Sequence, residues 1–272
     1  MDYRSTRKVE IVHLTSQAPE SDQVCVEEPL QLRLVGPPDG PTPIAVTLRT
    51  PGDDLDLVTG LLFTEGYIDQ PDEIEDLSWG DPFDFNTLDV TLRNPLPSYL
   101  EPSGVPRFIN SACGACSKTT LSQIASRSPV SEAALTVPRD LVVKLPDQLR
   151  LQQEIFNATG GIHGAGLFDC HGNPVVVKED VGRHNALDKA IGWVFRNVLS
   201  PHTVLESSIL CVSGRVGFEI VYKAARAQVS TIIAVSAASS MAIDLAGQLN
   251  MTLAGFTRSG ESTIYCGEFR LR

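Results

Sequence analysis

From Leu145 onward the chain repeats one rhythm, in which a short apolar run is followed by a turn and then an amphipathic stretch. LPDQLRLQQEIFNATGG, from Leu145 to Gly161, reads as a helix stopped by glycines. GIHGAGLFD and PVVVKED read as two strands joined by the tight turn Cys170-His171-Gly172-Asn173. HNALDKAIGWVFRNVL sets Leu187, Ile191, Val194 and Val198 on one helical stripe. SILCVSG and TIIAVSA then read as buried strands, RVGFEIVYKAARAQ and SMAIDLAGQLN as helices, and MTLAGFTRSG as a last strand. The order is α-β-β-α-β-α-β-α-β. Short apolar strands alternating with helices imply a layered α/β domain around a mixed sheet.

The first hundred residues follow a different pattern. VEIVHL, PLQLRLVG, IAVTLRT and TLDVTLRN alternate as half-buried strands do. Between the last two, Leu55, Val58, Leu61 and Leu62 share a face, after an acidic first turn and before Gly66, which predicts a helix from Asp53 or Asp54 to Glu65. A proline-rich break, PLPSYLEPSGVPR, closes this half. The expected organisation is an N-terminal α+β domain over 1–107, a connector over 108–144 and an α/β domain over 145–272. At roughly 100–200 residues per domain, 272 residues accommodate that division.

Composition narrows what such a chain does. With 33 acidic against 22 basic residues the net charge is −11. Non-specific nucleic-acid binding needs Lys and Arg to displace phosphate counterions, so no nucleic-acid partner is expected. The most apolar stretch, Ser230 to Ile243, is interrupted by Ser and Thr and ends at Asp244. A spanning helix needs about 20 predominantly apolar residues, so no membrane partner is expected either. The start carries basic residues but no apolar run behind them, and a cytoplasmic location with reduced cysteines is the expectation.

The order of elements in the second half is similar to that of the cytidine-deaminase-like fold, a three-layer α/β/α arrangement in which two helix N-termini point at the active site. In zinc deaminases those ends carry H-x-E and P-C-x-x-C. Here they read VGRHNALDK and VSGRVGFEI, so that Ala186 stands two residues after His184 and no cysteine occupies the second end. No zinc is expected there. Each end carries an arginine instead, Arg183 or Arg215. A helix start presents free N–H groups and about half a positive charge, which together with arginine favours an anion.

FINSACGACSKTT, from Phe108 to Thr120, is the most chemical stretch of the chain. Two thiols three positions apart bind half of a zinc site, cycle through a disulfide, or relay sulfur. A structural zinc needs four ligands, and no second CxxC or HxxxH occurs. The motif follows a proline-rich segment at the junction of the two domains, which predicts a loop. Lys118 and a short helix starting in TTLSQIAS would favour the thiolate over an unperturbed cysteine of pKa roughly 8.5.

CGACSK, TGGIHGAGLFD, KEDVGRHNALDKAIG, SGRVGFEIVYKAARA and GFTRSGESTIYCG together resemble the FdhD-type formate dehydrogenase accessory sulfurtransferases, and FTEGYI fits that family's N-terminal region. The resemblance covers nearly the whole chain. Ser117 departs from the glycine that many members carry after the second cysteine. The resemblance implies a homodimeric sulfurtransferase that takes sulfur from a cysteine desulfurase. It passes that sulfur to the molybdenum cofactor, bis-molybdopterin guanine dinucleotide, before insertion into formate dehydrogenase. By position, Cys113 would hold the persulfide and Cys116 would assist or resolve it. Phe256, Thr257, Arg258, Ser259, Gly260 and Glu261 would contact the cofactor. The segment follows the last strand, where α/β sheets bind ligands. Arg258 suits phosphate and Gly260 close backbone approach. Phe256 suits stacking, although it also continues the apolar strand as a core residue would. Glu261 suits a guanine edge. Arg183 and Arg215 are further candidates for the same ligand, and His163 and His184 are expected to be structural or to support the site from behind rather than to be catalytic. Two alternatives stay open: a cofactor-binding chaperone without covalent sulfur chemistry, and a zinc deaminase using Cys113, Cys116 and His163.

Overall fold

The computed structural model describes residues 5–16, 18–36, 40–81, 83–95, 107–109 (backbone only), 130 and 135–272. Cys113, Cys116, Lys118 and most of the expected connector lie outside the described residues.

The second half forms a six-stranded mixed sheet. Its strands are β8 (His163–Phe168), β9 (Pro174–Asp180), β10 (Ile209–Val212), β11 (Thr231–Ala234), β12 (Thr252–Arg258) and β13 (Glu261–Cys266), in the order β13-β12-β11-β10-β8-β9. β10, β11 and β12 run parallel; β8, β9 and β13 are antiparallel to their neighbours. Alternation along the central strands sorts side chains to two faces. Ile209, Cys211 and Ile233 face a cluster with Leu141, Val142, Leu145 and Leu149 of helix α2 (Arg139–Leu151). Leu210, Val212, Ile232 and Ala234 belong to the main core on the other side. That core includes residues of α4 (Arg183–Asn197), α6 (Phe218–Arg226) and α7 (Ser240–Gln248). Two short helices, α3 (Glu154–Thr159) and α5 (Pro201–Glu206), complete this half.

The first half contributes helix α1 (Asp54–Thr64) and a five-stranded sheet of order β5-β6-β3-β4-β7. Its strands are β3 (Glu28–Leu34), β4 (Thr42–Arg49), β5 (Ile74–Asp81), β6 (Asp84–Leu92) and β7 (Arg107–Ile109). An antiparallel ribbon of β1 (Thr6–Val12) and β2 (Pro19–Cys25) packs through β2 against helix α3 of the second half.

The apolar face of α1 is not shared with its own sheet alone. Leu57, Val58, Leu61 and Leu62 are fully buried in one cluster with Leu30 and Leu32 from β3, Leu187 and Ile191 from α4 and Leu210 from β10. Each such side chain contributes about 1.5–3 kcal/mol of transfer free energy. Two glycines set the crossing of α1 and α4. A Cβ at Gly60 would fall on the carbonyl oxygen of Asp188, and one at Gly192 on the carbonyl oxygen of Asp56. Buried charges fix the register. Lys223 Nζ donates to Asp188 Oδ2 at 2.9 Å and to Thr64 Oγ1 at 2.8 Å. Lys189 Nζ meets Asp180 Oδ2 at 2.8 Å and donates to the Thr50 carbonyl, also at 2.8 Å.

The sequence-based elements of the second half recur with two differences. The helix expected over Leu145 to Gly161 starts earlier, at Arg139, and breaks at Gln152–Gln153 into α2 and α3. Pro146 sits inside α2, one face of which packs on the sheet, and α3 ends at Gly160 in the left-handed region, φ 67°. β13 is a further strand, folded back on β12. In the first half, β2 and β5 are strands that the apolar pattern did not announce.

Candidate functional site

The carboxyl ends of β10, β11 and β12 lie together because the three strands are parallel. β8 is antiparallel to β10, so its first residue, His163, arrives at the same end. There Ser213 and Gly164 clasp each other. The Ser213 N–H donates to the Gly164 carbonyl at 3.0 Å, and the Gly164 N–H donates to Ser213 Oγ at 2.9 Å.

β12 runs past the end of β11 and changes direction there. Between Gly255 and Arg258 the β12–β13 register slips by one residue, a bulge that re-aims the side chains around it. Phe256 sits in the bulge with φ 51°, a conformation costly for a bulky residue. Its N–H donates to the Ser236 carbonyl at 3.0 Å, and the residue is 43% exposed. The bulge thus turns Phe256 outward from the core position that its place in an apolar strand allowed. Ser259 and Gly260, φ 54° and 81°, form the two-residue turn to Glu261, with positive φ at both positions as a tight hairpin of this twist requires. Thr257 is buried beneath the turn, its Oγ1 2.9 Å from Ser262 Oγ. The Arg258 guanidinium stands 6.0 Å from the Phe256 ring centroid.

Thr257, Arg258 and Ser259 form one wall of a cavity of about 540 Å³. Volumes of roughly 300–1,000 Å³ are usual for small-molecule sites. His163 and Ser213 also line it, as do residues of α2 and α3. Of the six hairpin residues singled out in the sequence, these three line the cavity. Phe256, Gly260 and Glu261 are not part of its lining.

A group of basic side chains adjoins the base of the cavity. His163 is half-buried, and its pKa is lowered by burial and then by the positive charge of Arg183, with Asp180 opposing. A Cβ at Gly214 would stand 3.2 Å from His163 Nδ1 and 3.7 Å from Arg183 Cβ, so the glycine leaves the room that this approach needs. Arg183 opens α4, and its Nε is buried without a hydrogen-bond partner among the described residues. Arg215 is exposed and close enough to depress both His163 and Arg183. His184 Nε2 lies 2.9 Å from a Glu219 carboxylate oxygen, bracing the first turn of α4 against that of α6.

The helix-starting arginines and the hairpin therefore gather at one end of the sheet. The two cysteines of the CxxC pair lie outside the described residues. Among the described residues no group of three His, Cys, Asp or Glu side chains is arranged to hold a metal ion. Cys25 comes near the cavity rim, its Sγ donating to the Gly161 carbonyl at 3.2 Å. Burial pushes that thiol's pKa up, which makes it a poor nucleophile. The wall residues Asp147, Arg150 and Phe156 were not marked by any sequence motif; they lie on and after a helix whose polar face looks like ordinary solvent-facing surface.

The arrangement is that of an α/β protein with a cleft at the carboxyl ends of parallel strands, lined in part by an arginine-bearing hairpin. A family model described as the FdhD/NarQ family matches residues 25–272, and the chain belongs to that family. It is 40% identical over 282 residues to the sulfur carrier protein FdhD of Nocardia farcinica, covering 100% of this chain and 97% of that protein. It is 39% identical over 256 residues to the protein of the same name from Mycobacterium tuberculosis, covering 90% of each. Among solved structures it is similar to a crystal structure described as a formate dehydrogenase accessory protein from Desulfotalea psychrophila. That match has a TM-score of 0.73 and 21% identity and covers 98% of both chains. At that identity the likeness speaks to the fold alone. Among the described residues no helix is long and apolar enough to cross a membrane.

Proposed function

We propose that this chain is a sulfur carrier in the maturation of formate dehydrogenase. It accepts persulfide sulfur from a cysteine desulfurase and delivers it to the molybdenum cofactor, bis-molybdopterin guanine dinucleotide. The sulfur half of the reading rests on Cys113-Gly-Ala-Cys116 and on membership of a family whose relatives are named sulfur carriers. In that step the Cys113 thiolate attacks the outer sulfur of the donor's persulfide. A new S–S bond forms on Cys113, and the donor cysteine leaves as its thiolate. Cys116 assists or resolves the loaded state.

The cofactor half rests on one observation: Thr257, Arg258 and Ser259 line a ligand-sized cavity at the carboxyl ends of parallel strands. The donors present suit a dinucleotide. Arg258 offers a planar, permanently charged fork for a phosphate. The left-handed Ser259–Gly260 turn is the kind of backbone that approaches oxyanions closely. The orphaned Nε of Arg183 is a further donor close to the same floor. We also read the six-stranded layer as cytidine-deaminase-like, from its order and the convergence of two helix starts, and the protein as a cytoplasmic homodimer.

Intact mass spectrometry after incubation with a desulfurase and cysteine tests the sulfur step. A gain of one sulfur atom in the wild type, absent from Cys113→Ala, is the expected result. Formate dehydrogenase activity supported by Cys113→Ala would overturn it, leaving a cofactor-binding chaperone as the better description.

A further inference from the structure

Gln153 and Ile162 are buried, 2% and 5% exposed, and none of the residues between them is. That stretch, residues 154–161, holds α3 and contributes Phe156, Gly160 and Gly161 to the cavity lining. Its two anchors are firm. The Gln153 side chain fills room that Gly164 of β8 leaves, where a Cβ would stand 2.6 Å from Gln153 Nε2. Ile162 leads directly into β8. Each anchor adjoins a bend in the backbone. At Gln153, φ −87° and ψ 82°, the chain leaves helical geometry between α2 and α3, and at Gly160 it turns left-handed, φ 67°.

Polar groups tie this stretch to the rest of the fold. Ile155 and Phe156 are the second and third residues of α3, so their N–H groups have no partner within the helix. Glu179 of β9 accepts from both, Oε2 from Ile155 and Oε1 from Phe156, each at 2.8 Å. Arg150 of α2 stands 4.2 Å from the Phe156 ring centroid and donates to Asn157 Oδ1. At the far end the Cys25 thiol of β2 donates to the Gly161 carbonyl at 3.2 Å. Local opening costs least where few apolar groups are buried and polar groups can pass to water. A helix of six residues does not persist by itself once its terminal donors lose their acceptor.

We propose that residues 154–161 are a strap that opens and recloses at the side of the cavity while the rest of the fold stays intact, with the Glu179 carboxylate as its latch and the Cys25 thiol as a weaker catch. Opening takes Phe156, Gly160 and Gly161 out of the lining, so the cavity changes its size and access while the sheet stays fixed. The device is independent of the sulfur step and of which ligand the cavity takes.

Residue-resolved amide hydrogen exchange on the full chain, across sub-denaturing urea concentrations, tests it. The amides of Ile155, Phe156, Asn157 and Gly160 are expected to exchange through an opening that urea barely affects, because it exposes little surface. Leu145 and Leu149 of α2, whose side chains are fully buried, should show a steep urea dependence instead. Glu179→Gln keeps the shape of the latch and removes its charge. It is expected to speed exchange in the strap roughly tenfold while Leu145 and Leu149 keep their rates. Alkylation of Cys25, followed by peptide mass spectrometry, should quicken in the same variant. Cys25→Ala should speed strap exchange by only about twofold, since a thiol is a weak donor. Strap amides that exchange with the urea slope of α2 would overturn the proposal, and the wild type alone decides that point. Strap rates in a folded Glu179→Gln equal to those of the wild type would overturn the latch.

Discussion

Lys223 and Asp188, both almost fully buried, are joined at 2.9 Å between α6 and α4, with Thr64 of α1 hydrogen-bonded to each. Burial by itself would lower the lysine's pKa, but Asp188 and Glu65 outweigh it and hold the ammonium charged. Removing one partner of such a pair leaves an uncompensated buried charge, a loss of about 3–5 kcal/mol. Lys223→Met is therefore expected to lower the urea midpoint sharply. Changing Asp188 to Leu in the same chain is expected to restore part of the loss. An unchanged midpoint in the single variant would mean that the pair does not hold the three helices together.

The α1–α4 crossing makes an unusual prediction for glycine. In an open helix Gly→Ala stabilises by about 0.5–1 kcal/mol. Among the described residues nothing lies within 4 Å of the would-be Cβ of Gly247 in α7, and Gly247→Ala should show that gain in thermal unfolding. At Gly60 and Gly192 the same methyl meets backbone of the other helix. Gly60→Ala and Gly192→Ala should instead destabilise by roughly 1–3 kcal/mol as the helices are forced apart.

His163 should titrate below the ordinary histidine value of roughly 6.5, because burial and Arg183 both disfavour its charged form. The folded state then binds its proton less readily than the unfolded chain does. Its contribution is intact above the unfolded pKa and is lost as pH falls from there through the folded one. Proton-detected NMR of the ring should show this directly. Arg183→Gln should move the pKa upward, and a phosphate-bearing ligand settling beside Arg183 should do the same. A His163 that titrates at or above the ordinary value would contradict the crowding of positive charge at the base of the cavity.

Arg258→Ala is expected to weaken guanine-nucleotide binding, and the wild-type affinity should fall as salt rises, because exposed charge on the hairpin is screened. Phe256→Gly tests the bulge. It relieves a left-handed aromatic residue, a strain of about 1–3 kcal/mol. A glycine costs part of that back through the freedom of the unfolded chain. Thermal unfolding should show an equal or higher midpoint. A lower midpoint would mean that the exposed ring packs more than it strains.

What was legible in the sequence was whatever the core dictates. Leu187, Ile191 and Val194 announced α4, and the apolar runs around Leu210 and Ile232 announced β10 and β11, because burial on both faces of a central strand leaves little choice of residue. β2 carries no apolar pattern because PESDQVC is largely exposed and its pairing is a backbone ladder, whereas in β5 the core-packed Ile74, Leu77 and Trp79 break strict alternation across two register shifts. The hairpin was visible through Arg258-Ser259-Gly260, whose turn chemistry is local. The opposing wall was not, because Asp147 and Arg150 look like the wet side of an amphipathic helix, and only the break after α2 brings Phe156 beside them.

The contact of Gly60 on Asp188 and of Gly192 on Asp56 also restricts the chain's history. Neither helix tolerates drift at its glycine unless the other yields at the same moment. A gene fusion that swapped the first half for a homologue's would have to import a matching notch, along with the acceptors that Lys189 and Lys223 seek on α1 and its flanks. The two halves are exchangeable only as a matched pair.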